Sequence, residues 1–276
     1  MLTWPLYLFV SLFTETSLAD TAIRATQLCG LVFSLLYLKY ADNLSLASIG
    51  LKAPQGNLSG LLYGLVAGLC ILTVLATALV FLDIHGIKSD VDVTVGAMTG
   101  LLAGAIVTGF AVALFEETLF RGALLQGLRK QAGMNIALIT ISLIYAGVHF
   151  INYTDLPSGD TPGWFSAPAQ FLSVYSQVLA LDTVDSFLCL FIVGILLGMI
   201  RLHTGHIIQC IGLHAGLVAG IKIFRHFTVY RPGSSYDYLV GPDLRLGWLA
   251  LVWLVIVAGG YFVYLHRKPE FKPSDT

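Results

Sequence analysis

The sequence predicts an all-α fold, a polytopic transmembrane bundle of about eight helices. Three observations carry this. Of 276 residues, 57% are hydrophobic and 11% are charged, whereas soluble domains carry about 25% charged residues. The mean hydropathy is +0.82. The apolar residues also fall into runs near the ~20 residues that a spanning helix needs. Little length remains for a soluble domain. A net charge of -1 gives no basic surface for nucleic acid.

The expected segments lie near 1–16, 20–40, 58–82, 95–121, 134–153, 184–201, 205–226 and 246–266. The first resembles a signal peptide but lacks the basic n-region, so it reads as a membrane segment. Three regions follow: N-terminal helices at 1–94, a core at 95–226, and a loop, last helix and tail at 227–276. Lys and Arg in short loops set the orientation. An inside N-terminus puts Lys39, Lys52, Arg129, Lys130, Arg201 and Arg267 in the cytoplasm, and Asp83, Asp90, Asp92, Asp155 and Asp160 outside. Both termini are then cytoplasmic. Short loops and the lack of extra tails point to a bacterial inner membrane. Lys222, Arg225 and Arg231 break the pattern, so the seventh helix runs past the membrane or the count fails there.

Glycines recur every four residues at Gly60, Gly64 and Gly68 and at Gly212, Gly216 and Gly220. Small residues at that interval let helix backbones approach closely in lipid. The connection at 154–183 reads as an extracytoplasmic loop, with Trp164 and Phe165 suited to the membrane interface. Cys29, Cys70, Cys189 and Cys210 show no paired spacing and read as small packing residues. Cys210 is one turn before His214, but a thiol buried in a helix is usually inert.

The chemistry starts at Phe115-Glu116-Glu117-Thr118-Leu119-Phe120-Arg121. Ionisable groups inside a membrane cost roughly 2.5–3.5 kcal/mol each even on lenient scales, so they mark function or pairing. Helical neighbours point about 100° apart, so Glu116 and Glu117 cannot share one partner. Arg121 is four residues beyond Glu117 and should pair with it, bidentately if geometry allows. Glu116 is the carboxylate left over and a candidate general base. Tyr145 and His149 share a helix face, with Gly147 leaving space nearby. His214 sits in Gly212-Leu213-His214-Ala215-Gly216. Either histidine alone reads equally well as a packing residue. One Glu and two His in three apolar segments can hold a water between them.

Together these stretches resemble the three motifs of the CAAX-protease and bacteriocin-processing (CPBP, or Abi) family of intramembrane endopeptidases. The similarity covers roughly residues 95–222. It implies that Glu116 activates water, that His149 orients or deprotonates that water, and that His214 donates to the oxyanion. Glu117 and Arg121 match the supporting pair. Tyr145 stands where Phe is commoner. Val218 stands where the family often has Asn, and valine cannot donate to an oxyanion, a loss of about 10²–10³ in rate where nothing substitutes.

Two His and one Glu are also the ligand set of a catalytic zinc site. In that version Glu116, His149 and His214 bind the ion and Glu117 becomes the base. The chain lacks His-Glu-x-x-His, so the metal-free glutamate version is expected, with no cofactor. The expected partners are the lipid bilayer and a membrane-anchored protein or peptide substrate. The competing reading is a non-enzymatic transporter or immunity protein on the same scaffold, which Val218 favours. Transporters more often show internal repeats or broken helices in matching halves, and this sequence shows neither.

Overall fold

The computed structural model describes residues 3–12, 17–42, 45, 47–52, 57–150, 163–166, 184–240 and 246–267. The helices are α1 (Thr3–Ser11), α2 (Leu18–Asp42), α3 (Asn57–Phe81), α4 (Val95–Glu117), α5 (Leu125–Ala132), α6 (Met134–Val148), α7 (Val184–Thr204), α8 (Ile208–Phe227) and α9 (Trp248–Arg267). A π-helical turn, Thr118–Leu124, joins α4 to α5, so one rod runs from Val95 to Ala132. The protein is an all-α membrane bundle. Among the described residues, five helices are long and apolar enough to span: α3, the α4–α5 rod, α7, α8 and α9.

Each of the eight expected segments overlaps a helix, and two of these helices are short. Helix α1 has 9 residues and reaches only about 14 Å at 1.5 Å per residue. Helix α6 has 15 residues and reaches about 22 Å, short of the ~30 Å hydrocarbon core. Most of the 154–183 connection lies outside the described residues. Within it, Trp164 packs against Trp4 of α1, with ring centroids 4.8 Å apart.

Helix α8 is the central member and packs on both α3 and α4. The α3–α8 pair is parallel, and it is the place where glycine is required. A Cβ at Gly68 would stand 2.2 Å from the Leu213 carbonyl oxygen, and one at Gly216 would stand 2.3 Å from that of Leu65. Backbone lies on both sides, so a methyl group forces the helices apart. Gly68→Ala is expected to destabilise the protein by about 1–3 kcal/mol or more, read as a lower melting temperature in detergent. Gly96→Ala, with nothing within 4 Å of its Cβ position, should leave that temperature unchanged.

A short antiparallel pair, β1 (His85–Ile87) with β2 (Thr228–Tyr230), ties the ends of α3 and α8 together in the register His85↔Tyr230. Strands of three residues give no alternation for a sequence to show. The pair also explains the irregular charges. Arg231 Nη1 lies 2.6 Å from Asp83 Oδ1, and the Lys88 amine donates to the Arg225 carbonyl. Helix α8 runs to Phe227, through Lys222 and Arg225.

The thiols divide. Cys189 and Cys210 are buried and donate to the carbonyls of Gly247 and Leu197. Cys29 and Cys70 are exposed, so a packing role does not hold for them.

Candidate active site

The α4–α6 region brings distant residues together by symmetry of length. Glu117 lies 16 positions before Gly133, and His149 lies 16 positions after it. Gly133, at φ +83°, ends α5 and starts α6. That left-handed conformation favours glycine. The chain thus runs out along the π turn and α5, reverses, and returns along α6 to the level of Glu117. Helix α8 delivers His214 from the other side.

Glu117 is fully buried. Its Oε1 accepts from Arg121 Nη1 at 2.9 Å and contacts His214 Nδ1 at 2.8 Å. A carboxylate at this distance accepts, so His214 Nδ1 carries the proton and donates. The Arg121–Glu117 pair is not bidentate. Arg121 turns its second arm to the Gly194 carbonyl at 3.3 Å, and its guanidinium lies 4.3 Å from the Tyr145 ring centroid. Glu117 therefore splits its attention between a cation and an imidazole, a link that the sequence did not suggest. Its Oε2 has no hydrogen-bond partner among the described residues.

Glu116 lies at the opposite edge of the His214 ring, so the two carboxylates, expected not to share a partner, both face His214, one at each ring nitrogen. Its Oε2 lies 3.8 Å from His149 Nε2 and 3.9 Å from His214 Nε2. These exceed direct hydrogen bonds and match two groups sharing one water at about 2.8 Å from each. His149 Nδ1 contacts the Tyr145 carbonyl at 2.7 Å. A carbonyl only accepts, so Nδ1 donates and the neutral ring keeps its lone pair on Nε2, facing Glu116. Tyr145 packs its ring 4.6 Å from that of His149. Glu116, His149 and His214 thus converge, with Tyr145 beside them on the same cavity, while Glu117 and Arg121 lie behind them.

The three converging groups open on a cavity of about 600 Å³ with an otherwise largely apolar lining from α3, α4, α6, α7, α8 and α9. Val218 and Val112 are on its wall. So is Ser186, whose buried Oγ has no hydrogen-bond partner among the described residues. Sequence reasoning passed over Ser186, because a lone serine at the start of a helix carries no signal. Among the described residues, no group of three or more His, Cys, Asp or Glu side chains is arranged as a metal site.

A carboxylate and two imidazoles at the end of an apolar cavity, within a membrane bundle, form an arrangement suited to hydrolysis of a lipid-embedded substrate. The comparisons name the class. Residues 98–219, the segment that carries all three motifs, match the family model "Type II CAAX prenyl endopeptidase Rce1-like". No curated protein and no solved structure gives a significant match.

Proposed function

We propose that the chain is an intramembrane endopeptidase that uses Glu116 as general base on a water and takes a membrane-anchored peptide as substrate. The observation that carries this reading is the convergence of Glu116 Oε2 with His149 Nε2 and His214 Nε2 at 3.8 and 3.9 Å on the cavity.

In this mechanism Glu116 takes a proton from the water as its oxygen attacks the scissile carbonyl. The unprotonated Nε2 of His149, fixed by the Tyr145 carbonyl, accepts a hydrogen bond from the same water and aims it. His214 already donates through Nδ1 to Glu117, so it is the imidazolium form, with a second proton on Nε2, that donates to the developing oxyanion. The proton on Glu116 then passes to the leaving amine, and the carboxylate is regenerated. Val218 adds no donor. Tyr145 and Ser186 are the residues of the cavity wall that carry a hydroxyl. Arg121 balances the charge of Glu117, so the His214 support survives in a buried setting. Both termini are assigned to the cytoplasmic side of a bacterial inner membrane.

The test is direct. Purified protein in liposomes, given a lipidated peptide, should yield one cut, identified by the masses of both fragments. An intact peptide, together with pH-gradient-driven solute uptake that requires Glu116, would favour the transporter reading.

A further inference from the structure

We propose that Ser186 is a substrate-binding residue whose hydroxyl donates to a main-chain carbonyl of the bound peptide, one or two residues from the bond that is cut; this rests on the endopeptidase reading above. Ser186 is 5% exposed and lines the cavity, and its Oγ has no hydrogen-bond partner among the described residues. A buried hydroxyl without a partner is destabilising, and most buried polar groups have one. The hydroxyls of Thr73, Thr99, Thr108 and Thr204 meet this need by donating to the carbonyl four residues back in their own helices. Ser186 is in the first turn of α7, which begins at Val184, so no carbonyl of that helix lies four residues behind it. The Asp185 carboxylate accepts the backbone N–H of Ser186 at 2.7 Å rather than the hydroxyl. Were the side chain there only to fill space, alanine would fill it without the cost.

Its level in the bundle fixes what the hydroxyl can reach. Helices α6 and α7 run antiparallel: a Cβ at Gly198 would meet Leu138, and one at Gly194 would meet Ser142. The ring pair Phe187–Phe150, with centroids 6.0 Å apart, continues that register. Ser186 is therefore level with the end of α6, at His149 and Phe150. The His149 ring does not stay at that level. Its Nδ1 reaches back to the Tyr145 carbonyl at 2.7 Å, one turn earlier in α6. The groups around the water thus lie one helical turn from Ser186, about 5.4 Å along the cavity. Ser186, Leu190 and Val193 line this stretch from one face of α7. An extended peptide advances about 3.3 Å per residue, so one or two residues cover the offset. It is too long for Ser186 to serve the oxyanion itself, whose donors stand about 2.7–3.1 Å away. Beyond Glu116, Tyr145, His149 and His214, the other polar side chain on the wall is Trp253, and its indole N–H is taken by the Ile71 carbonyl at 2.9 Å. A peptide in this apolar cavity carries carbonyls stripped of water, and Ser186 is the donor left to meet one.

The test compares wild type and Ser186→Ala, both full length in nanodiscs, on one short lipidated peptide and on a set derived from it. In that set each main-chain amide except the scissile one is replaced in turn by an E-alkene, which keeps the extended shape and removes the carbonyl. Ser186→Ala should lower kcat/KM on the all-amide peptide by about 10-fold. The loss should vanish on one alkene peptide, altered one or two residues from the cut, and persist on the others. Without substrate, Ser186→Ala should melt at the wild-type temperature or up to about 4 °C above it, because an unsatisfied hydroxyl is gone. Unchanged rates on every peptide overturn the proposal. So does a loss of equal size on every alkene peptide, which would place Ser186 at the oxyanion or in the fold. A lower melting temperature would give the hydroxyl a structural partner and also overturn it. If the wild type cuts no peptide, the endopeptidase reading fails, and binding of the same peptides, fluorescently labelled, decides the rest. Tighter binding of the all-amide peptide by wild type than by Ser186→Ala, with the difference lost on one alkene peptide, keeps the Ser186 site. Equal binding removes it.

Discussion

Glu116→Gln should lower peptide hydrolysis by about 10²–10⁴-fold, the range expected for loss of a general base, and leave the melting temperature unchanged. The two halves of this expectation have separate causes. An amide has the shape of the carboxylate but cannot take the proton from water. Structurally, little is lost, because the imidazoles nearest to Glu116 Oε2, those of His149 and His214, lie at 3.8 and 3.9 Å, too far for direct hydrogen bonds. The adjacent carboxylate should behave differently. Glu117→Gln removes the counter-charge of Arg121 and the acceptor of His214 Nδ1, so it should lower both stability and rate. Two neighbouring glutamates with these two phenotypes would separate the base from the support. Matching phenotypes would show that the division of roles is wrong.

Arg121→Met should cost about 3–5 kcal/mol of stability, the usual penalty for stranding one member of a buried ion pair. Glu117 is fully buried and has a second oxygen without a hydrogen-bond partner among the described residues. Without Arg121, its charge has only His214 to lean on. Arg121 also donates to the Gly194 carbonyl on α7, so its loss loosens the contact between the π turn and that helix. The melting temperature in detergent should fall by about 10 °C, at roughly 2–4 °C per kcal/mol for a chain of this size. The double variant Glu117→Gln/Arg121→Met should recover part of the fall, because no uncompensated charge remains. An unchanged melting temperature in Arg121→Met would mean that Glu117 is neutral in the folded protein.

The helices were legible because apolar runs with few charges fit little else, and each expected segment overlaps a helix. Their spanning ability was less legible. The stretch at 134–153 reads as a full span, yet its helix stops at Val148, where His149 and Phe150 form a turn. The reversal at Gly133 carried a signal that went unused: Arg129 and Lys130 in a last turn followed by glycine mark a helix end. The π turn after Glu117 and the three-residue strands have no pattern that spacing can reveal.

At the candidate site, the division of Glu116 from Glu117 followed from the 100° step of a helix and from Arg121 four residues on. What spacing could not show was which group Glu117 holds besides Arg121. His214 is 97 positions away in sequence, and only the packing of α8 on α4 brings it there. Lys222 looked like an error in the charge pattern. It became intelligible once the Gly104 carbonyl was placed beside it.

The central claim is that Glu116 activates water without a metal. The most direct test measures peptide cleavage by the purified, membrane-reconstituted protein before and after treatment with a strong chelator, with the metal content of the same sample determined in parallel. The account predicts an unchanged rate and no stoichiometric zinc. Loss of cleavage on chelation, with recovery on adding zinc back, would contradict it and turn Glu116, His149 and His214 into ligands.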